Sequence, residues 1–157
     1  MGIVPQFSNG MVAARMEEFR KRLDQAIIFR LSYLGEQLAK FAKDNHTYTD
    51  QTGNLTNSIG YAVARGNQIV QFGGENQPGE GAENARKVVQ EYASTLQGSY
   101  SLIVVAGMNY AAYVEARGYN VILPAELKAK VEFPVVMRRL QEAANRMTAE
   151  KFGEDMA

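Results

Sequence analysis

The stretch Tyr100-Ser-Leu-Ile-Val-Val-Ala-Gly-Met-Asn-Tyr-Ala-Ala-Tyr-Val-Glu-Ala-Arg-Gly-Tyr119 decides how the rest of the chain is interpreted. In its first half, Leu102 and Val104 point to one side of an extended backbone, while Ile103 and Val105 point to the other. The run is therefore apolar on both sides of a period-two pattern. Such a run predicts a central strand over the first seven residues of the stretch, which end before a glycine.

A short helix is predicted after this strand. Gly107 interrupts the apolar run, and Asn109 is suited to cap a helix N-terminus. Apolar residues then recur at helical spacing, namely Tyr110, Tyr113 and Val114. Gly118 is suited to end the helix as a C′ residue. A further strand is predicted directly afterwards, at Tyr119–Leu123.

Composition indicates a globular protein with one domain. The chain has 157 residues, of which 46% are hydrophobic and 22% charged. Basic and acidic residues are equal at 17 each, so no overall basic charge indicates nucleic-acid binding. Neither a membrane span nor a signal peptide is recognised, which predicts a protein made and used in a cytoplasm. The chain has no cysteine, and a surface or capping role is expected for His46 because no second ligand residue accompanies it.

A long amphipathic helix is predicted from Met11 to Lys43. Its apolar residues recur at steps of three and four, at Val12, Met16, Phe19, Leu23, Ile27, Leu31, Leu34, Leu38 and Phe41. Such a helix is on the order of 50 Å long, whereas a domain of this size has a radius of gyration near ~15 Å, so one end is expected to overhang or touch a neighbour. Three apolar residues lie off the stripe and form either a widened core face or a second face for another subunit: Ile28, Phe29 and Tyr33.

A loop and a β-hairpin are predicted next. Asp44–Ser58 is rich in residues that form turns and caps, and its Gly53–Asn57 part fits one helical turn. Ile59–Arg65 alternates large with small residues, and a Gly-Asn turn connects it to a second strand, Gln68–Gly73. The small-residue side of the first strand predicts close packing of a helix, with the long first helix as the candidate.

Two more helices complete the predicted fold. Gly74–Ala82 lacks an apolar anchor and is predicted to be a mobile loop, followed by a helix at Glu83–Leu96. The last helix is predicted over Ala125–Lys151, kinked or split by Pro134. Its expected apolar stripe consists of Leu127, Val131, Val135, Leu140, Ala144 and Met147. The ends, residues 1–10 and 153–157, are predicted to be a flexible N-terminus and a frayed tail.

These elements predict a single α+β domain spanning residues 1–157. The expected architecture is a four-stranded, mostly antiparallel sheet. The long N-terminal and C-terminal helices cover one of its faces, and short helices lie between the strands.

Two segments of the chain together resemble a known family. The first, Tyr48–Ile59, contains the loop Thr52-Gly-Asn-Leu-Thr-Asn-Ser-Ile59. The second, Val105–Gly118, contains the short helix Tyr110-Ala-Ala-Tyr-Val-Glu115, about fifty residues later. In this order, with these flanking elements, they resemble the tail-component family of tailed bacteriophages. That family comprises head–tail joining or tail-completion proteins of the neck. The resemblance covers roughly Met11 to Met147.

The resemblance implies a structural virion protein that assembles into a ring in the neck. The motif residues are Gly53, Leu55, Ser58, Ile59, Tyr110, Tyr113, Val114, Glu115 and Gly118. Leu55 and Ile59 are expected to seat the loop on the core, and Gly53 to permit a turn at positive φ. Glu115 is expected to be a cap or an ion-pair partner of a loop or neighbouring subunit. No catalytic, cofactor or metal site is predicted.

The predicted partners follow from a ring, which needs two different complementary patches on each subunit. One is the outer side of the first helix, with Ile28, Phe29 and Tyr33, and the other surrounds Glu115. Expected contacts are further copies and other neck or tail proteins, with no membrane and no specific nucleic-acid sequence. A monomeric isolated protein is compatible with this prediction, because the resemblance implies assembly on a template. It would reside in the bacterial cytoplasm during assembly and then in the virion.

Two other classes of function compete with a structural role. A small nucleic-acid-associated or adaptor module would use the basic Arg138–Lys151 face of the last helix, and steep salt dependence of DNA binding would favour it. A hydrolase is disfavoured because the chain offers almost no residues for a nucleophile–base pair.

Overall fold

A computed structural model describes residues 9–49, 53–74, 79–108 and 111–156, with the backbone alone at 113 and 151–156. The helices and strands, in chain order, are α1 (Asn9–Asp44), α2 (Asn54–Asn57), β1 (Ile59–Arg65), β2 (Gln68–Gly73), α3 (Glu80–Ala93), β3 (Tyr100–Ala106), α4 (Ala111–Ala116) and α5 (Leu123–Met156). The predicted α+β class and the long first and last helices are confirmed. None of the described helices is both long and apolar enough to cross a membrane.

Three strands form the sheet of the described residues, in the order β2-β1-β3, and both pairings are antiparallel. β1 is therefore the central strand, and β3, which the sequence predicted as central, lies at an edge. The β1–β3 register runs without interruption from Ile59 opposite Ala106 to Arg65 opposite Tyr100. The apolar pattern of β3 arises because helices cover both of its faces, although only one of its edges is paired.

The predicted fourth strand, Tyr119–Leu123, is wrong. Leu123 already begins α5, and the residues before it form bends. Side chains accept the hydrogen bonds of this backbone: the Asn120 amide donates to Thr47 Oγ1 at 2.9 Å, and the Leu123 amide donates to Glu115 Oε1 at 2.6 Å. Val121 is buried in the main core, so it anchors the segment before α5 to that core.

Helices cover both faces of the sheet, instead of one. α1 packs on the face that carries Tyr61 and Val63, and α3 packs on the face that carries Ala62. The small-residue side of β1 thus receives α3, contrary to the prediction that α1 would lie there. α1 approaches the large side chains because Gly35 leaves space for a ring: a Cβ at Gly35 would lie 2.5 Å from Tyr61 Cγ.

α5 packs mainly against α1, which corrects the prediction that it covers the sheet. The small residues Ala125 and Ala129 face the core and permit close approach of the two helices. Leu127 and Val131, which were predicted to be core residues, are consequently turned outward and exposed. α5 continues as one helix through Pro134.

Several predicted boundaries differ from the structure. α3 begins at Glu80, so the last three residues of the predicted mobile loop Gly74–Ala82 are helical, and residues 75–78 lie outside the described residues. α3 ends at Ala93 instead of Leu96. Just after this end, the hydroxyl groups of Ser94 and Thr95 donate hydrogen bonds to carbonyl oxygens of the last turn of α3. At the chain ends, residues 9 and 10 belong to α1 and residues 153–156 to α5, while 1–8 and 157 lie outside the description.

Candidate functional site

The two segments that carry the family resemblance meet at Ser58 and Gly107. Ser58 is only 1% exposed, and its Oγ donates to the Leu55 carbonyl oxygen at 2.7 Å. The Gly107 amide donates to Ser58 Oγ at 3.1 Å and to the Ser58 carbonyl oxygen at 3.2 Å. One buried hydroxyl therefore links the end of α2, the start of β1 and the end of β3.

Two glycines make this junction possible because three backbone segments approach one another closely. A Cβ at Gly107 would lie 2.8 Å from the Ala85 nitrogen, and one at Gly81 would lie 2.6 Å from Ser58 Cβ. Gly107 was predicted only to break the strand, and Gly81 was not predicted to belong to the site. No sequence pattern marks a glycine that is needed for the close approach of another backbone segment. The role of such a glycine becomes visible only when the positions of the helices are known.

The first motif is held on the core as predicted. Gly53 has a φ of 74°, the left-handed conformation that glycine adopts without strain, and it precedes α2. Leu55 and Ile59 are fully buried in the main core. The Tyr48 hydroxyl lies 3.0 Å from Thr56 Oγ1 and fixes the loop from its other side.

The second motif places Glu115 against the start of α5. Its Oε1 accepts the hydrogen bond from the Leu123 amide, one of the donors that the first turn of a helix leaves without an intrahelical partner. Gly118 has a φ of 89°, and the amides of Gly118 and Tyr119 donate to the carbonyls of Glu115 and Val114, which is a Schellman ending of α4. Val114 is half-buried against the main core. Tyr110 and the side chain of Tyr113 lie outside the described residues.

An ionic cluster that the sequence did not predict ties α1 to the sheet. Arg65, at the end of β1, forms a bidentate ion pair with Asp24, and the Tyr100 hydroxyl donates to Asp24 Oδ1 at 2.5 Å. The bond from Tyr100, with the ion pair to Arg65, lowers the pKa of Asp24 against the opposing effect of burial. Burial and the Asp24 carboxylate raise the pKa of Tyr100.

The spacing of residues along α1 contains a sequence signal for this ionic cluster. Asp24 lies seven residues before Leu31 and fourteen before Leu38, on the buried face of the helix. A carboxylate in that position is partly withdrawn from water, so a charged or hydrogen-bonding partner offsets the cost. Along this face of α1, Asp24 stands where leucines occupy the later positions. Its partner Arg65 is the last residue of β1, so Asp24 marks the end of that strand beneath α1.

Metal binding finds no support among the described residues, in which no group of three or more His, Asp or Glu residues is placed to hold an ion. His46 follows the end of α1, and its Nδ1 lies 2.5 Å from the Lys43 carbonyl oxygen. The His46 ring also lies against Tyr48, with 4.7 Å between the ring centroids. This is the capping position expected for that residue.

The outer face of α1 carries two exposed aromatic side chains. Phe29 is 66% exposed and Tyr33 is 57% exposed, four residues apart and on the side of α1 opposite the buried Leu31 and Leu38. Ile28 is half-buried. Of the two interpretations left open by the sequence, a widened core face does not describe Phe29 or Tyr33, because neither is covered by the described chain.

A second apolar surface is a groove between the C-terminal end of α1 and the first turns of α5. It has a volume of about 690 Å³, and the residues that give it its character are Phe41, Leu123, Leu127, Lys128 and Val131. The ammonium group of Lys128 lies 4.6 Å from the centre of the Phe41 ring. The groove adjoins Glu115, which binds the Leu123 amide. The sequence missed it, although the four-residue spacing of Ala125 and Ala129 indicated which side of α5 could approach α1.

Comparisons of this chain with protein-family models, with curated proteins and with solved structures found no match.

Proposed function

We propose that this chain is a structural virion protein of a tailed phage or prophage, a head–tail connector or tail-completion subunit that assembles into a ring in the neck. The observation that carries the assembly role is the aromatic pair Phe29 and Tyr33, exposed on the outer face of α1. The assignment to the neck rests on the resemblance of the two motif segments. The hydrogen bond from the Gly107 amide to Ser58 Oγ joins the two segments directly, which supports treating them as one unit.

Exposed aromatic pairs of this kind favour an assembly role on energetic grounds. Burying a large apolar side chain in an interface yields ~1.5–3 kcal/mol, and aromatic residues are enriched among those that dominate binding. Single exposed apolar residues are ordinary on protein surfaces, but contiguous patches mark sites of interaction. Phe29 and Tyr33 lie one helical turn apart, so they form one patch.

The polar groups of the motif segments also favour a structural role. Ser58 Oγ is engaged by the Leu55 carbonyl and the Gly107 amide, and Glu115 binds the first amide of α5. These hydrogen bonds hold the local structure of the chain. The proposed partners are further copies of this chain and other neck or tail proteins, met in the bacterial cytoplasm during assembly and retained in the virion.

Removal of the gene from its phage or prophage tests this function. We expect separate filled heads and separate tails in the lysate, and joined particles when the wild-type gene is supplied in trans. Phe29→Asp should fail to restore joining, whereas Tyr92→Asp, a matched change at a 54% exposed aromatic residue of α3, should restore it. Normal joined particles without the gene would contradict the proposal.

A nucleic-acid-associated or adaptor module is the second candidate, because Arg138, Arg139 and Arg146 are all exposed on α5. The side chain of Lys151 lies outside the description. DNA binding that weakens steeply with salt, and that Arg138→Ala with Arg139→Ala removes, would favour this role. Glu142, which is also exposed on α5, partly offsets these charges.

A further inference from the structure

We propose that the aromatic pair on the outer face of α1 in one copy docks into the α1–α5 groove of the next copy, forming a head-to-tail contact. This inference rests on the proposed function, because it specifies the surfaces through which the ring closes. It replaces the general expectation of a patch around Glu115 with a defined groove beside that residue. The occupant of the groove is a second copy of this chain.

The two surfaces are both apolar and present side chains at the same helical spacing. Phe29 and Tyr33 project from a helix at a spacing of four residues, and the groove is a concave site between two helices. Its walls expose Leu127 at 56% and Val131 at 72%, again four residues apart. A helix that places residues at this spacing into an apolar groove is a recurrent form of recognition.

Within one copy, the pair cannot reach the groove. Phe29 and Phe41 belong to the same helix, twelve residues apart. This separation corresponds to about 18 Å along the axis and about 120° around it. A continuous helix holds the two surfaces apart, so only another copy can bring them together. Two different surfaces on each copy produce a head-to-tail contact, which closes into a ring or extends into a filament.

Charges at the edges of the two surfaces are complementary. Arg30, which follows Phe29, is exposed. Asp44, also exposed, lies next to the groove residue Asn45 and supplies this edge charge, whereas Glu132, which lines the groove, forms an ion pair with Lys128 at 3.3 Å. An arginine edge that meets a carboxylate edge favours one orientation of docking over its reverse.

The area involved predicts weak association in the isolated protein. At the observed exposure, the two aromatic side chains offer roughly 200–300 Å² in total. A stable interface buries about 800 Å² on each partner. We therefore expect a contact that forms transiently in solution and accumulates on the template of a growing virion. A trapping experiment is needed to detect it.

The lack of native cysteine makes selective cross-linking possible. Arg30→Cys and Asp44→Cys place thiols beside the aromatic pair and beside the groove. They remove the two edge charges but leave Phe29, Tyr33, Leu127 and Val131 intact, so the cross-link tests the apolar contact alone. Equimolar mixtures at high protein concentration are treated with a short bis-maleimide, and mixed and same-variant dimers are separated by a size tag. Random pairing in an equimolar mixture gives about twice as much mixed dimer as each same-variant dimer. We expect mixed dimers well above that ratio, and the double variant to form a ladder of higher species.

Matched changes decide whether the aromatic pair is responsible. Phe29→Asp in the Arg30→Cys copy, or Val131→Asp in the Asp44→Cys copy, should lower the mixed cross-link by about tenfold, the loss typical of removing a central interface residue. Tyr92→Asp should leave it unchanged. Circular dichroism checks that each variant is folded. Mixed dimers at or below about twice each same-variant dimer, the ratio of random pairing, or a yield insensitive to Phe29→Asp, would overturn the inference.

Failure of this inference is distinguishable from failure of the proposed function. If the gene is required to join heads to tails but the cross-link is absent, the chain acts in the neck through other surfaces. One alternative, a contact through the exposed Val88 and Tyr92 of α3, would appear as preferential cross-linking of Arg30→Cys to Glu91→Cys instead of Asp44→Cys.

Discussion

The backbone amide of Gly107 donates a hydrogen bond to the hydroxyl oxygen of Ser58, 3.1 Å away and shielded from solvent. This contact joins residues 49 positions apart in the chain, one at the end of α2 and the other at the end of β3. Because the same hydroxyl donates to the Leu55 carbonyl, it is satisfied both as donor and as acceptor. The loop and the strand end are therefore positioned together.

Ser58→Ala should destabilise the protein by about 1–3 kcal/mol, because the Gly107 amide and the Leu55 carbonyl each lose a buried partner. Urea denaturation measures the free energy of unfolding. Ser94→Ala is the control: Ser94 Oγ also donates to a helix carbonyl, but in an exposed position, and should matter much less. Equal changes for the two variants would show that Ser58 is not a structural link.

Gly35→Ala should destabilise the protein, contrary to the usual effect of such a change in a helix. In an exposed helix, alanine is favoured over glycine by about 0.5–1 kcal/mol. Here the new Cβ would lie 2.5 Å from Tyr61 Cγ, so we expect a cost of about 1–3 kcal/mol from overpacking. Tyr61→Leu should relieve part of that cost in a double-mutant cycle. A Gly35→Ala variant that is more stable than the wild type would contradict the packing of α1 on β1.

Gly118→Ala should cost about 1 kcal/mol, because the φ of 89° at Gly118 is unfavourable for any residue with a Cβ. Gly79→Ala is a matched control. A Cβ at either glycine meets open space, but the backbone of Gly79 is extended and accepts alanine without strain. The difference between the two thermal melts isolates the backbone effect. Similar melting temperatures would mean that α4 does not end in the left-handed conformation.

The ion pair at Asp24 predicts a specific dependence of stability on pH. The pKa of Asp24 is lowered in the folded state, so Asp24 stabilises the fold above its unfolded pKa of about 3.9 and loses that effect as pH falls through the folded value. Asp24→Asn should be less stable than the wild type at pH 7, by less than about 1 kcal/mol because the pair is partly exposed.

The difference between Asp24→Asn and the wild type should shrink in denaturant melts as the pH falls below about 3.9, and should disappear below the lowered pKa of Asp24 in the folded state, where the wild-type carboxyl is also neutral. Glu126→Gln, which removes an exposed pair with Lys130, should change little at any pH. A difference for Asp24→Asn that persists unchanged at low pH would exclude the ion pair as its cause.

Periodicity was sufficient to predict the helices and the hairpin, because side chains at steps of three and four, or of two, report which faces are covered. It was insufficient for sheet position. β3 has the same apolar pattern as a central strand because α1 packs against Leu102 and α3 lies over Ile103. Whether the faces of a strand are covered and whether its edges are paired are separate properties. The pattern of apolar residues along the strand reports only the coverage of its faces.

The segment before α5 could not be predicted for a related reason. Val121 and Ile122 form an apolar pair that resembles a short strand, but Thr47 and Glu115 receive the neighbouring amides. Both acceptors come from other parts of the chain, so their effect is tertiary. The candidate site likewise had one part that local sequence patterns could predict and one part that depends on tertiary structure. Phe29 and Tyr33 were visible off the apolar stripe, whereas the groove required the position of α5.

The measurement that tests the neck assignment most directly is immunogold electron microscopy of gradient-purified particles carrying an epitope-tagged copy of this chain. Mass spectrometry of the same particles establishes whether the chain is a constituent. A subunit of the neck should co-purify with intact particles and place gold at the junction of head and tail. Absence of the chain from purified particles, or label confined to the capsid shell or distributed along the tail, would contradict the assignment.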